Sequence, residues 1–308
     1  LRTLTAYDMF FVGYFILGID PMHHPWLLDC IREITYGPQT NTIELWAREH
    51  FKSTFFTRIE IIQRILRSAW GPSKKFPIEQ DYYIENLKPN LSYITDERIG
   101  IFSFNKKIAD KFLIAIKNSL EIYDIFHKLF PDILYANPSK ESAKWTEGAL
   151  NVKQAGVYKE ETLSSWGLID AMPTGYHLTG RVYDDVVTVD NAKTATRNAE
   201  VLAKFEMSKN LGMRETEMYK PWFRIIGTIY RHDDAYVSLS NQKESPKSDK
   251  PKYIVRKKPA TKNGEWYGEP VLLTKKELED KMSDPYIYST QQLLDPKMSD
   301  KQEIKSSW

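Results

Sequence analysis

Residues 42–57 read TIELWAREHFKSTFFT and predict a strand, a loop and a helix in succession. Thr42–Ala47 is a short, mostly apolar, β-prone run of the kind that forms a buried strand. The eight residues from Ala47 to Thr54 follow, and an apolar periodicity then predicts a helix over Thr57–Trp70. Strand, eight-residue loop and helix is the layout of a phosphate-binding P-loop.

A loop of this kind binds the β- and γ-phosphates of ATP through backbone N–H groups at a helix N-terminus, where the helix dipole favours an anion. Lys52 would reach the same phosphates, and the Ser53 hydroxyl would face Mg²⁺. The predicted ATP-binding residues are the eight of the loop: Ala47, Arg48, Glu49, His50, Phe51, Lys52, Ser53 and Thr54.

The loop departs from the common pattern at both of its glycines. That pattern begins with glycine and has a second glycine directly before the lysine, whereas this loop begins with Ala47 and has Phe51 before Lys52. Taken alone, Lys52-Ser53-Thr54 ahead of a helix is more typical of an ordinary capped helix N-terminus than of a nucleotide site. The remainder of the chain has to distinguish the two interpretations.

Composition places the chain among globular proteins without naming a partner. It has 308 residues, 42% hydrophobic and 27% charged, with a net charge of +2, so any nucleic-acid contact must be local rather than a general positive field. A single cysteine, Cys30, fits a reducing compartment. Met9–Leu17, the most apolar early run, is about half the length that spans a bilayer. We therefore expect a soluble intracellular protein with no membrane partner.

Further apolar runs alternate with helical segments along the chain, which predicts an α/β fold with a mainly parallel central sheet flanked by helices. Predicted strands are Thr42–Ala47, Arg98–Phe104, Ser164–Ile169, Arg181–Val187 and Trp222–Ile229. Predicted helices are Tyr7–Leu17, Pro25–Ile34, Thr57–Trp70, Lys106–Asp124, Asn191–Asn210 and Lys275–Met282.

The character of the sequence changes near residue 240. Ser240–Lys252 is polar and charged, and Lys262-Asn263-Gly264 is a turn signal between β-prone runs within Tyr253–Leu273. We therefore predict an ATPase domain over residues 1–240, followed at 241–308 by a small linker and hairpin subdomain with a polar tail. The basic run Lys252–Lys258 is either a DNA-contacting patch or a solvated hairpin edge.

An acidic pair ends one of the predicted strands. Arg181–Val187 reads RVYDDVV, an apolar strand that runs into Asp184 and Asp185. A carboxylate in that place, at the carboxyl edge of a parallel sheet beside a P-loop, is the Walker B arrangement that holds Mg²⁺. Asp184 is the predicted Mg²⁺ ligand, together with Ser53.

Three motifs stand in the order that large terminase subunits use: KST at Lys52, VYDD ending at Asp185, and IIGT ending at Thr228. The loop AREHFKST resembles the deviant P-loop of that family, the ATP-driven motors that package DNA into tailed-phage capsids. The resemblance covers about residues 20–300. It implies that Gly227 and Thr228 form the coupling motif that links γ-phosphate loss to movement.

The resemblance implies a catalytic set of Lys52, Arg48, Asp185 and Thr228, with ATP and Mg²⁺ as cofactors. It also implies double-stranded DNA, a portal protein and a small terminase subunit as partners, a homopentameric ring, and the cytoplasm of an infected bacterial host as location. Two departures are evident. Asp185 stands where the family often has Glu, and no C-terminal nuclease domain follows, so endonuclease activity is not expected of this chain.

Several residues carry weaker expectations. Trp26, Tyr36 and Gln39 are candidates for holding adenine, and Arg181 or Arg197 for the arginine that a ring neighbour supplies in trans. His23 and His24 suggest a polar helix entrance rather than a metal site, because no other ligand type clusters near them.

Two other functions fit parts of the sequence. A helicase or another P-loop DNA motor would be favoured by a second copy of the core, which the sequence lacks. A catalytically inactive P-loop scaffold would suit the changes at Ala47 and Phe51. The joint presence of Lys52, Ser53, Asp184 and Thr228 favours the active motor.

Overall fold

A computed structural model describes residues 1–37, 41–68, 96–215 and 220–296 of the chain. Seven strands form one sheet in the order β3-β4-β2-β5-β6-β1-β7, and every neighbouring pair is parallel except β3 with β4. The strands are β1 (Thr42–Trp46), β2 (Ile99–Ser103), β3 (Ala149–Leu150), β4 (Leu163–Gly167), β5 (Gly180–Asp184), β6 (Trp222–Gly227) and β7 (Ile254–Lys258). The predicted α/β fold with a mainly parallel sheet is confirmed.

Helices cover both faces of this sheet. They are α1 (Arg2–Tyr7), α2 (Pro25–Tyr36), α3 (Glu60–Arg67), α4 (Lys106–Ile122), α5 (Asp124–Leu129), α6 (Pro138–Glu141), α7 (Val189–Ala192), α8 (Ala195–Ser208), α9 (Ala235–Ser240), α10 (Lys275–Lys281) and α11 (Pro285–Ile287). Three segments are π-helical: Phe11–Ile16, Thr54–Ile59 and Tyr288–Gln292. The 3₁₀ turns are Asp20–His23, Lys209–Leu211 and Lys262–Gly264.

Two separate hydrophobic cores explain why the central strands are mostly apolar, although charged residues such as Glu44 and Arg224 are buried in them. Every residue of β1, β2, β5 and β6 is buried. Side chains such as Ile101 and Val182 enter the core under α1–α5, whereas Phe102 and Tyr183 enter the core under α8 and α9. Because both faces are covered, these strands read as continuous hydrophobic runs rather than alternating ones.

The β1 strand lies inside the sheet, between β6 and β7. Thr42 is level with Arg224 of β6 on one side and with Ile254 of β7 on the other. On the far side of β6 lies β5, so one strand separates β1 from the strand that ends at Asp184. Since all four strands are parallel, their carboxyl ends meet at one edge of the sheet, where a ligand site is expected.

The prediction of a hairpin within Tyr253–Leu273 is wrong. Ile254–Lys258 pairs parallel with β1, and the turn at Lys262–Gly264 is flanked only by an isolated antiparallel bridge between Thr261 and Pro270. The physical reason is charge neutralisation. Arg256, which looked solvated in sequence, is buried against the Glu44 carboxylate of β1 with Nη1 to Oε1 at 2.5 Å. The last strand of the sheet therefore lies beyond residue 240.

A buried ionic cluster ties α3 to β6. Glu60 begins α3 and accepts hydrogen bonds from Arg64 (2.8 and 2.9 Å) and from Arg224 of β6 (2.9 and 3.1 Å), and all three side chains are at most 5% exposed. The Arg64 guanidinium also lies 3.7 Å from the centre of the Trp222 ring. Burial alone would raise the pKa of Glu60, but Arg224 and Arg64 more than offset that and lower it to about 2.

Two expectations fall outside the described residues: the adenine candidate Gln39 and the helix end at Trp70. Within residues 1–37, 41–68, 96–215 and 220–296, none of the helices combines the length and the apolar character that crossing a bilayer requires.

Candidate active site

The loop of residues 47–54 joins the end of β1 to the next helix. Residues from the C-terminal part of the chain accept hydrogen bonds from its backbone. The Ala47 N–H donates to the Lys258 carbonyl of β7 (2.9 Å), and the Arg48 N–H donates to the Gln291 carbonyl (3.0 Å). Helical structure begins at Lys52, with the Phe55 N–H bonded to the Phe51 carbonyl (3.0 Å), so the loop ends at a helix N-terminus.

Two non-glycine residues of this loop adopt the left-handed backbone conformation. Glu49 has φ of 66° and Phe51 has φ of 64°. Phe51 occupies the place directly before Lys52, where the common pattern has glycine, and each non-glycine residue in this conformation costs about 1–2 kcal/mol. The chain therefore has the turn that glycine usually provides, without glycine. The conformational cost at Phe51 is offset by packing against the core under α1–α5. At Glu49 it is offset by an ion pair with Lys281 at 2.8 Å.

The buried side chain of His50 bonds the backbone of the same loop. Its Nδ1 lies 2.7 Å from the Arg48 carbonyl oxygen, which can only accept, so Nδ1 carries the proton. The ring is fully buried, and burial lowers its pKa to about 4. Trp26 packs edge-on against it, with ring centres 5.4 Å apart. This contact brings one adenine candidate to the loop, whereas Tyr36 lies exposed at the end of α2.

Lys52 is largely buried, and its ammonium forms no ion pair within the described residues. The residue as a whole is 8% exposed. Its positive charge nevertheless acts on neighbouring groups, since it lowers the pKa of both His50 and Asp184. Because a buried ammonium is costly unless it meets an anion, this lysine suits a phosphate ligand.

Asp184 ends β5 with one carboxylate oxygen bonded and the other free. Oδ2 accepts a hydrogen bond from the Thr57 hydroxyl, whereas Oδ1 has no partner in residues 1–37, 41–68, 96–215 or 220–296. Burial, and then the negative charge of Asp185, raise the pKa of Asp184 to about 7, although Thr57, Lys52 and Ser53 act in the opposite direction. A fully buried oxygen without a donor, close to the Ser53 hydroxyl, fits a bound divalent cation.

Asp185 and Arg48 face each other beyond Asp184. Asp185 is left-handed at φ of 51°, half-buried, and its N–H donates to the Ile226 carbonyl of β6 (3.1 Å). Arg48 donates from Nη2 to the Tyr230 hydroxyl (2.6 Å), and its pKa is raised by Tyr230 and Asp185 in spite of burial. Arg48 thus sits on the Asp185 side of the loop.

Thr228 connects the end of β6 to the end of β1. Its hydroxyl donates to the Trp46 carbonyl (3.3 Å), one residue before the loop. At Gly227 a Cβ would overlap the ring of Tyr236, whose hydroxyl donates to the Ile226 carbonyl and accepts from the Val187 N–H, both at 3.2 Å. Glycine is required at 227 for this close approach, which links β6 to the segment after Asp185.

The structure therefore places the predicted catalytic and metal-ligating residues at one sheet edge but separates several weaker candidates from it. The prediction of Arg181 as a trans-acting arginine is wrong, because the residue is 6% exposed and donates to the Ser208 and Lys209 carbonyls at 3.0 Å. Arg197 is exposed and stays a candidate. In the basic run 252–258, Lys258 is paired with Glu33 and Arg256 is buried, whereas Lys252 and Lys257 are exposed.

The two N-terminal histidines have structural partners. His24 caps α2 by accepting from the Trp26 N–H (3.3 Å), and His23 bonds the Asp20 carbonyl. The part of the chain that the structure describes contains no group of three or more His, Cys, Asp or Glu suited to a metal.

Sequence reasoning missed Thr57 and Tyr230. Thr57 follows Ser53 by four residues, a spacing that places both on one face of a helix, so helical periodicity could have drawn attention to it. Tyr230 lies two residues beyond Thr228, and no pattern in the sequence distinguishes it from a core aromatic residue.

Comparisons with known proteins add one finding. No protein-family model matches this sequence, and no curated protein matches it significantly. Among solved structures, the large terminase of bacteriophage HK97 is similar over 87% of this chain and 50% of its own, with a TM-score of 0.45 and 10% sequence identity. The chain spans about half the length of that terminase.

Proposed function

We propose that this chain is a P-loop ATPase. The single observation that carries the proposal is the meeting, at the carboxyl edge of a parallel sheet, of a largely buried lysine, Lys52, and a buried carboxylate, Asp184, one of whose oxygens has no partner within the described residues. A polyphosphate is a complementary ligand for the lysine, and its divalent metal ion is one for the carboxylate oxygen.

Each residue has a role in phosphoryl transfer, which depends on positioning and charge neutralisation. Lys52 binds the β/γ-phosphate oxygens together with the N–H groups of the 47–54 loop, and Ser53 and Asp184 hold Mg²⁺. When bound, Mg²⁺ neutralises charge on the transferring phosphoryl group. Asp185 orients the attacking water, Arg48 contacts phosphate from the Asp185 side, and Thr228 links the nucleotide site to β6.

We further propose that ATP hydrolysis drives double-stranded DNA into a viral procapsid. Support comes from the order and spacing of KST, VYDD and IIGT in the sequence, which resemble those of large terminases. The motor would act as a homopentameric ring with a portal protein and a small terminase subunit, in the cytoplasm of the host bacterium. DNA would be gripped by its phosphates, so binding should weaken steeply with salt. Arg197, which is exposed, is our candidate for the arginine that a neighbouring subunit receives.

ATP turnover measured against protein concentration, with and without duplex DNA, tests the proposal. We expect turnover that rises faster than linearly with concentration, because a ring neighbour completes the site. Lys52→Ala should lower turnover by about 10²–10³-fold or more, the size of effect seen when one charge-stabilising group is lost. Lys107→Ala, at an exposed lysine of α4, is the matched control and should behave as wild type.

Other outcomes separate the alternatives. Linear dependence on concentration, with loss of activity in Lys52→Ala, would keep the ATPase and remove the shared site. Absence of both turnover and nucleotide binding in the wild type would reject the ATPase and leave the inactive scaffold.

A further inference from the structure

Thr57 and Asp184 form a buried pair that joins the helix after the loop to β5. Thr57 is 1% exposed and Asp184 is fully buried, and the Thr57 hydroxyl donates to Asp184 Oδ2 across 127 positions of sequence. The helix neighbours Phe55, Phe56 and Ile59 are also fully buried, so the pair lies beside apolar side chains.

The direction of this hydrogen bond is unusual for a threonine in a helix. A helical threonine hydroxyl commonly bonds the carbonyl one turn earlier on its own helix. Thr57 instead donates to a different element, from a π-helical segment, Thr54–Ile59. Such segments are frequent at functional sites. The local structure thus directs the Thr57 hydroxyl at one carboxylate.

The two oxygens of Asp184 have different surroundings. Oδ2 is occupied by Thr57, and Oδ1 has no partner within the described residues although it is buried. Ser53 lies one helical turn before Thr57 on the same face. One face of the helix therefore carries two hydroxyl groups, of which that of Thr57 bonds the carboxylate.

We infer that Thr57 is a positioning residue that holds Asp184 Oδ2, fixes the carboxylate plane and leaves Oδ1 directed at the metal bound between Asp184 and Ser53. The inference rests on the proposed function, because it supposes a divalent cation at this site. Residues that orient metal ligands typically change metal affinity by about 10- to 100-fold when mutated. Thr57 would act only through Asp184, so nucleotide affinity without metal should not depend on it.

Binding of Mn²⁺ to the protein in the presence of ADP, followed by electron paramagnetic resonance, tests the inference without measuring turnover. Thr57→Val removes the hydroxyl at nearly constant volume, and Thr57→Ser keeps the hydroxyl but removes the methyl group. ADP affinity in EDTA is measured on the same samples. Thr5→Val is the matched control, since Thr5 is also fully buried in a helix but bonds the Leu1 carbonyl (3.0 Å).

We expect Thr57→Val to bind Mn²⁺ about 10-fold or more weakly, with ADP affinity in EDTA unchanged, and Thr57→Ser to stay within about threefold of wild type. Equal Mn²⁺ affinity in Thr57→Val and wild type would overturn the inference. Equal weakening in the valine and serine variants would also overturn it, because the methyl group would then be responsible.

Two further outcomes are decisive. If Thr57→Val melts far below the Thr5→Val control, Thr57→Ala replaces it, and the comparison with serine stands. If the wild type binds neither ADP nor Mn²⁺, the proposed function fails and this inference fails with it. If the wild type binds both and Thr57→Val binds Mn²⁺ equally well, only the role of Thr57 is rejected.

Discussion

Replacing Glu60 by glutamine should destabilise the fold strongly, because Glu60 neutralises two buried arginines. The substitution keeps the shape of the side chain but removes the carboxylate that both arginines bond, and Arg64 retains only the more distant ion pair with Glu97, at 4.0 Å. Breaking a buried ion pair from one side typically costs about 3–5 kcal/mol. The free energy of unfolding at pH 7 should fall by an amount in that range.

The pKa of Glu60 gives a second, independent magnitude. It falls from the usual 4.5 to about 2 in the folded chain, because Arg224 and Arg64 outweigh the effect of burial. That difference corresponds to about 3 kcal/mol of stability above pH 4.5. A depressed carboxyl pKa stabilises the fold above the unfolded value, and the contribution is lost as the pH falls from about 4.5 to about 2.

Urea unfolding of wild type and Glu60→Gln, at pH 7 and again near pH 3, measures both effects. We expect a difference of about 3 kcal/mol or more at pH 7 that shrinks markedly by pH 3. Glu279→Gln is the matched control, since Glu279 is 58% exposed, lies 3.9 Å from Lys275, and should change stability by less than about 1 kcal/mol. A loss below about 1 kcal/mol for Glu60→Gln at pH 7, or an equal loss at both pH values, would refute the role assigned to the cluster.

Two further predictions concern the 47–54 loop. The pKa of His50 is lowered to about 4, so stability should fall as the pH drops from 6.5 towards 4, by at most about 3 kcal/mol. Urea unfolding should lose this slope in His50→Asn, whose amide can still donate to the Arg48 carbonyl, and an unchanged slope would assign it to another group. Glu49→Gly should be about 1 kcal/mol more stable than Glu49→Ala, because both lose the Lys281 ion pair but only glycine relieves the positive φ. Equal melting temperatures for these two variants would contradict the left-handed conformation.

The central sheet could be predicted from the sequence because its strands are buried on both faces. Such strands appear as unbroken apolar runs, and their acidic or small polar ends mark the carboxyl edge, as at Asp184 and Thr228. Strand β7 could not be recognised in that way. Its sequence, IVRKK, has three cations, and the carboxylates that neutralise Arg256 and Lys258 come from Glu44 and Glu33, more than 200 positions away.

The backbone conformation of the loop could not be predicted from the sequence either. The absence of glycine ordinarily indicates that no residue is left-handed, yet Phe51 and Glu49 both adopt the left-handed conformation. What holds them is tertiary: core packing for Phe51, and Lys281 for Glu49. The Thr57–Asp184 bond is likewise a contact between distant elements, so only its helical spacing from Ser53 was visible beforehand.

The position of β7 beside β1 has a consequence for how this protein is made. The strand that leads into the candidate site has one of its two neighbours supplied by residues 254–258, which leave the ribosome more than 200 residues after β1 does. Until then β1 has an open hydrogen-bonding edge of apolar residues, the kind of surface that pairs with other chains. A shortened gene ending at residue 240 would keep that edge open permanently, so we expect its product to be recovered in inclusion bodies, and co-expression of the missing C-terminal piece to rescue its solubility.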